Sequence, residues 1–411
     1  MVKMVYTFID LFAGCGGLSE GFHKADSFEF VAAVEWENDP ALNLINRLEN
    51  KWKERKASDK VLIFDIQRTT ELFYGWSSDS KYGSHRGLND IVKDKTIDII
   101  IGGPPCQAYS LAGRAQDKNS MKDDYRNYLF ESYVKVVDKY KPKIFVFENV
   151  IGLLSAKPKD EYVIDLIRNE FDNHGYAIIS DLKKYALQDL TLFGVPQKRN
   201  RVIIIGIRKD LCVDTEAVLK DFYANILNSY HEPLKTVDEA ISDLPKLFPI
   251  EEYRLDGKKY SHSQAKKLIP NHTPRFHNKK DIATFELLAR DIESGERKYT
   301  STDELLKLYT QKTGKVSAVH KYYVLRRNEP SNTIPAHLYK DGLRHIHPDS
   351  TQARSITVRE AARLQTFDDD YEFTSAAGAN YKMIGNAVPP YFSYKLALGI
   401  RSLLDKLSTR A

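Results

Sequence analysis

Six short apolar runs punctuate the first 207 residues, at 5–11 (VYTFIDL), 30–34, 61–64, 97–101, 144–147 and 202–207. Each is too short for a helix and rich in Val, Ile and Phe, the signature of a buried strand. The first run passes into the glycine turn AGCGG and then the amphipathic stretch LSEGFHKA, which reads as strand, loop, helix. Helix-like segments between the other runs extend this alternation. The pattern predicts an α/β fold of Rossmann-like type, a mostly parallel sheet covered on both faces. From 209 to 349 the chain is polar and loop-rich, with Pro233, Pro245, Pro249, Pro270, Pro274, Pro330, Pro335 and Pro348, and a second, smaller domain is expected there. Helical periodicity returns at 357–364 (TVREAARL) and 391–407, separated by a turn-like IGNAVPP. The segment 350–411 is therefore expected to rejoin the domain formed by 1–208. There is no internal repeat and no low-complexity tract.

Charge changes this picture locally more than globally. Lys and Arg number 61 against 56 Asp and Glu, a formal net charge of +5, which is far from histone-like. Yet 257–280 holds Lys258, Lys259, Lys266, Lys267, Arg275, Lys279 and Lys280 with no acid, and 311–328 holds five more cations beside Tyr322 and Tyr323. Such windows are either solvated faces or a surface meant for phosphate. The longest apolar runs fall far short of the roughly 20 residues needed to cross a bilayer. Asp10 breaks any signal-peptide core, so a protein that stays inside the cell is expected. Three scattered cysteines, Cys15, Cys106 and Cys212, make neither a disulfide framework nor a zinc spacing, and no metal is expected.

Chemistry-bearing residues gather at the predicted strand ends. Asp10 to Gly17 (DLFAGCGG) places glycines at the carboxyl edge of a parallel strand, where cofactors bind. Ser19 stands where a dinucleotide fingerprint needs its last glycine, which weakens an NAD reading. Glu35 ends the second strand, placed for a ribose, and Asp65 follows the third, placed for an adenine amino group. The alternative for these residues is a plain tight turn with solvated strand ends. Gly102 to Gln107 (GGPPCQ) is a stiff loop that holds one thiol in a fixed direction, which favours Cys106 as a nucleophile over a small buried hydrophobe. Glu148 ends a further strand at the same edge and, buried there, can donate a proton; the alternative is a helix cap or a surface acid. Gln197, Arg199 and Arg201 alternate at the start of the strand VIIIIG, aimed at an anion or a carbonyl, or else forming a solvated basic edge.

Together these motifs, DLFAGCGGLSEGF, EW, DI, GGPPCQAYS, ENV, QKRNR, RSITVREAARLQTF and YKMIGNAVPP, resemble the cytosine-5 DNA methyltransferases of bacterial restriction-modification systems, in that family's order and over most of the chain outside the middle domain. The resemblance implies transfer of a methyl group from S-adenosylmethionine to carbon 5 of a cytosine flipped out of duplex DNA. It implies that Cys106 attacks carbon 6, with Glu148 at ring nitrogen 3 and Arg199 and Arg201 completing the catalytic set. It places Asp10, Phe12, Ala13, Gly14, Gly16, Gly17, Glu35, Trp36, Asp65, Ile66, Pro104 and Asn386 around the cofactor. Ser110 and Arg114, in the long polar segment after Cys106, and Lys258, Lys259, Lys266, Lys267 and Arg275, in the middle domain, are expected at the DNA. Double-stranded DNA is the implied partner of a monomeric, cytoplasmic enzyme, with a cognate restriction endonuclease acting on the same site. Tyr109, Asp368 and Asn380 depart from the commonest family pattern without touching the proposed chemistry. Three rivals are an RNA cytosine-5 methyltransferase, an inactive DNA-binding regulator and an NAD-linked enzyme.

Overall fold

The computed structural model describes residues 4–105, 129–157, 161–265, 269–317, 321–340 and 342–408. They form two compact units: Met1–Gly194, Arg199–Pro233 and Ala387–Ala411 in the first, Val195–Lys198 and Leu234–Asn386 in the second. No helix among the described residues is long and apolar enough to cross a membrane.

The strands of the first unit are β1 (Tyr6–Leu11), β2 (Phe28–Glu35), β3 (Val61–Ile63), the small hairpin β4 (Trp76–Asp79) and β5 (Gly83–His85), β6 (Ile99–Gly102), β7 (Ile144–Val150), β8 (Tyr176–Ile178), β9 (Leu187–Asp189) and β10 (Asn200–Arg208). All but the hairpin build one sheet in the order β3-β2-β1-β6-β7-β10-β8, with β9 also on β10. The six apolar runs of the sequence fall on β1, β2, β3, β6, β7 and β10; β8 and β9, three residues each, lie outside them. Strands β3, β2, β1, β6 and β7 are parallel, and β10 runs antiparallel to its neighbours. Ile99, Ile100 and Ile101 are wholly buried, as a continuous apolar run must be when both sheet faces are covered. One cover is the helix Leu129–Tyr140, whose Tyr133 hydroxyl lies 2.9 Å from the carbonyls of both Ile100 and Val146.

The second unit carries the hairpin β11 (Pro249–Leu255) and β12 (Lys258–His262) and the helices Lys279–Ser294 and Thr302–Thr313, more regular structure than its prolines suggest. Phe285, Leu288, Leu305 and Leu308 from these helices bury against Tyr322, Val324 and Ile346. Its polar centre is Arg354, whose two terminal nitrogens each lie 2.7 Å from an oxygen of Glu360, both residues being essentially inaccessible. Glu360 also closes a capping box with Thr357 at the start of the helix Val358–Leu364.

The boundaries differ from those suggested by composition. Residues 209–233 belong to the first unit because their apolar side chains cover β10: the Tyr223 hydroxyl accepts from Ile205 N at 2.9 Å and donates to Ile203 O at 2.8 Å. Residues 350–386 belong to the second unit, held by Arg359 Nε, which donates to Pro270 O at 3.0 Å, and by Gln352 Oε1, which accepts from Leu247 N at 2.9 Å. Within IGNAVPP, Ile384 to Asn386 finish the helix Ala377–Asn386, and Pro390 begins the helix Pro390–Ser408. Proline is well suited to a first helical position, where its missing N–H costs nothing.

Candidate active site

The ends of β1 and β2 shape one half of the site. The loop after β1 is left-handed at Phe12 (φ 57°), Gly14 (φ 56°) and Gly16 (φ 82°). A bulky side chain is rarely held there, and such an outlier marks a backbone determined by its surroundings. Those surroundings are explicit. Ala13 N donates to Val34 O at 3.1 Å, and Gly14 N donates to Glu35 Oε2 at 2.8 Å. Glu35 Oε1 accepts from the N–H groups of Trp36 and Glu37, both at 2.8 Å. Burial pushes the Glu35 carboxyl above its usual range, and these backbone donors oppose the shift. A Cβ on Gly14 meets no described atom within 4 Å, whereas one on Gly17 would stand 2.3 Å from Val388 O. The loop is thus open at its middle and closed at the helix start. Trp36 is exposed beside Glu35, Ile66 is buried, and half-buried Asp65 accepts from Gln67 N at 3.0 Å. Asp10 lies deeper: buried, it accepts the Ser19 hydroxyl, and desolvation raises it to about 7.

The other half follows from strand direction. Because β10 runs antiparallel, its first residues sit where the parallel strand β7 ends, with Arg201 in register with Val150. Arg201 Nε lies 2.8 Å from Glu148 Oε1, both side chains 13% exposed. Burial holds the Arg201 guanidinium below its ordinary range and Glu148 opposes that shift. Arg199 is buried and donates to Ala387 O at 3.0 Å. The solvated-edge alternative does not apply, since β10 lies inside the sheet between β7 and β8. Gln197, expected on the same face, instead belongs to the second unit, where its amide donates to Gln365 Oε1 at 2.5 Å.

Two further residues complete this edge. A Cβ on Gly103 would lie 2.7 Å from Glu148 Oε2, so only glycine lets that carboxylate rest against the loop. Asn149 Nδ2 donates to Pro104 O at 3.1 Å and pins the loop to β7. Asn149 is visible in the sequence as the middle of ENV; the role of Gly103 depends on the β6–β7 register and leaves no local signal. The loop leads to Cys106, which with Ser110 and Arg114 lies outside the described residues.

In the second unit Lys258 and Lys259 are exposed on β12, and Lys259 pairs with Glu252 at 3.1 Å. Arg275 is turned inward: it lies over the Tyr381 ring and donates to Leu338 O at 3.1 Å and Tyr339 O at 3.3 Å. His262, His272 and His277, which share the basic window, are buried, and burial lowers all three. Lys266 and Lys267 lie outside the described residues. Asn386 is exposed at the end of its helix, in the second unit.

The chain is similar over most of its length to known methyltransferases. Type II methyltransferase M.Bpa9945I of Bacillus paralicheniformis is 35% identical, over 97% of this chain and 99% of its own length. Type II methyltransferase M.XorII of Xanthomonas oryzae pv. oryzae is 32% identical, over 97% and 85%. A putative DNA modification methyltransferase encoded by an Escherichia coli prophage shares the fold, with a TM-score of 0.62 at 22% identity, covering 97% of this chain and 99% of that one. The family model for C-5 cytosine-specific DNA methylases matches residues 6–401, nearly the whole chain, and the protein belongs to that family.

Proposed function

We propose that this cytosine-5 DNA methyltransferase acts on a cytosine flipped out of a specific duplex sequence, uses S-adenosylmethionine, and is the modification half of a restriction-modification pair. The observation that carries the reading is the Glu148–Arg201 pair, 2.8 Å apart and sheltered at the sheet edge, with Glu148 on β7, the neighbour of the strand β6 from which the loop to Cys106 leaves, and Arg201 on β10 beyond it. Carbon 6 of cytosine is a weak electrophile, and attack on it must come perpendicular to the ring, which requires extrusion from the stack. Cys106, as thiolate, forms a bond to carbon 6. Glu148 holds ring nitrogen 3 and Arg201 the ring carbonyl, so that charge developing in the ring meets preorganised partners. The addition leaves carbon 5 nucleophilic, able to accept the methyl group that S-adenosylmethionine would supply. Loss of the carbon 5 proton and breakage of the carbon 6–sulfur bond restore the ring and free Cys106.

The residues at the ends of β1 and β2 fit the cofactor. S-adenosylmethionine, when bound, supplies a methyl group on an electrophilic sulfonium. It has a ribose but no pyrophosphate, and the loop is open over Gly14 while Val388 O closes the helix start at Gly17. A pyrophosphate needs that start free. Glu35, fixed by three backbone donors, suits the ribose hydroxyls, Trp36 suits the adenine face, and Asp65 and Ile66 flank the ring. Asp10, with its buried Ser19 partner, supports the loop from beneath. The second unit is assigned target recognition on its exposed cations. The test is tritiated S-adenosylmethionine offered with unmethylated duplex DNA, with RNA or with neither; label in DNA alone is expected. Label in RNA, or none, overturns the reading.

A further inference from the structure

Within the second unit one element is built unlike the rest. The base of the β11–β12 hairpin is anchored: His262 is buried with Nε2 3.0 Å from Gln352 O, Ser263 N donates to Phe248 O at 2.8 Å, and His277 N donates to Ser261 Oγ at 3.0 Å. Beyond that anchor every residue from 250 to 259 is exposed. The tip turns through Asp256 (φ 49°) and Gly257 (φ 74°), two left-handed residues in succession, the two-residue turn whose twist matches its strands. An irregularity in the ladder between Pro249 and Tyr253 separates anchor from tip, a device that re-aims a strand. The outcome is an exposed ribbon on an anchored base.

Register sets what the ribbon presents. Tyr253 pairs with Tyr260 and Leu255 with Lys258, so these four share one face; Arg254 pairs with Lys259 on the other. The two tyrosine rings stack at 5.0 Å and 13°. Glu252 and Lys259 neutralise each other at 3.1 Å, while Arg254 and Lys258 have no carboxylate partner among the described residues. Leu255 is 55% exposed between them. The Lys259 face meets the rest of the unit at the Phe276 ring, 5.2 Å from Lys259 Nζ, whereas the face of Tyr253 and Leu255 stands in water.

We propose that the tip from Arg254 to Lys258 is a base-reading element that enters the major groove of DNA and helps to set the recognition sequence. The inference rests on the methyltransferase reading above. A two-stranded ribbon fits a groove about 12 Å wide. Past Glu251 and Glu252, the stretch from Tyr253 to Lys259 carries Arg254, Lys258 and Lys259 against Asp256 alone, which suits a polyanion better than an apolar protein partner. Asp256 decides between phosphate and base. At a phosphate it repels; at a base edge it accepts from the cytosine amino group, while Arg254 donates to guanine and Leu255 meets a thymine methyl. The recognition sequence should therefore contain a G·C pair read by this tip.

The test is a binding selection from randomised duplex DNA with the full-length chain, which does not depend on methyl transfer, followed by mapping of methylated cytosines. Arg254→Ala and Asp256→Ala should each lose about tenfold or more discrimination at one base pair of the selected site. Lys258→Ala should weaken all sequences alike. Melting temperatures should stay at the wild-type value, because these side chains are exposed. An unchanged selected sequence in both Arg254→Ala and Asp256→Ala overturns the proposal, as does a wild-type chain that selects no sequence. Absence of label in DNA in the tritium assay is a separate failure, of the methyltransferase reading itself.

Discussion

At the sheet edge of the first unit, Glu35, Glu148, Arg199 and Arg201 are at most 13% exposed and each is held by a partner within about 3 Å, whereas Arg254, Asp256 and Lys258 on the hairpin of the second unit stand in water. The difference follows from the work assigned to each. Stabilising charge that develops in a ring requires groups already desolvated and fixed, since reorganisation during reaction cancels their benefit. Reading a groove requires side chains that can displace water from base edges, which buried groups cannot reach. Substitutions at Glu148, Arg199 and Arg201 should therefore act on rate, one at Glu35 on cofactor affinity, and those on the hairpin on choice of site.

The largest effect expected is that of Cys106→Ser. A hydroxyl is far less ionised than a thiol near neutral pH, so methyl transfer should vanish while DNA binding survives. Retention of more than roughly a tenth of wild-type turnover would remove covalent attack from the mechanism. Duplex DNA with 5-fluorocytosine at the target should trap the wild-type enzyme in a denaturation-resistant adduct, because fluorine cannot leave as a cation. Next in size is Glu148→Gln, with a rate loss of about a hundredfold and an unchanged affinity for S-adenosylmethionine. Weakened cofactor binding at full rate would mean that Glu148 and Glu35 have exchanged roles. Gly103→Ala sharpens the same point, since its Cβ must displace the Glu148 carboxylate 2.7 Å away. Single-turnover kinetics should show a loss of about tenfold or more, the scale of a small misplacement at a reacting centre. Wild-type turnover would show that Glu148 need not rest against the loop.

The smallest effects are in stability, and they differ in size between the two regions. Burial lowers His262 and His345 to about 4, and His277 and His347 to about 3, from 6.5. The folded second unit therefore binds fewer protons than its unfolded chain between those values and 6.5, so stability present above pH 6.5 is lost as pH falls. At pH 5.5 the loss is about 1 kcal/mol per histidine. In the first unit His23, lowered by burial to about 3 and packed on Phe8 of β1, adds a loss of the same kind, but Asp10 runs the other way and offsets it. Raised by burial from 3.8 to about 7, it binds an extra proton when folded, and stability is lost as pH rises through that window. Hydrogen exchange at pH 7.5 and 5.5, corrected for the intrinsic rate, should show protection falling more in the helix Lys279–Ser294 than in β1. Equal loss in both would sink the contrast.

Local pattern made the sheet legible. A run such as 202–207 has no polar face, so it can only be a doubly covered strand, and glycines or carboxylates at the ends of such strands announce the edge where ligands bind. The Asp256-Gly257 pair, between Leu255 and Lys258, is also a hairpin signal that the sequence carries in plain form. Other features were not local. Prolines suggested a boundary at 209, but Leu219, Phe222 and Tyr223 place 209–233 with the first unit, because burial of apolar surface outranks loop composition. The basic window counted Arg275 as a surface cation, yet its guanidinium is spent on Tyr381 and two carbonyls.

By itself the sequence determined the α/β class, the strand ends at which Glu35 and Glu148 sit, and the family, because these depend on residue type, period and order along the chain. Tertiary structure alone decided the rest. The antiparallel course of β10 brought Arg201 to Glu148 across 53 positions of sequence, the β6–β7 register placed Gly103 under the same carboxylate, and the anchoring of His262 left the hairpin tip standing in water. Each is a contact between segments distant in the chain, fixed by the direction and register of strand pairing, which local composition does not encode.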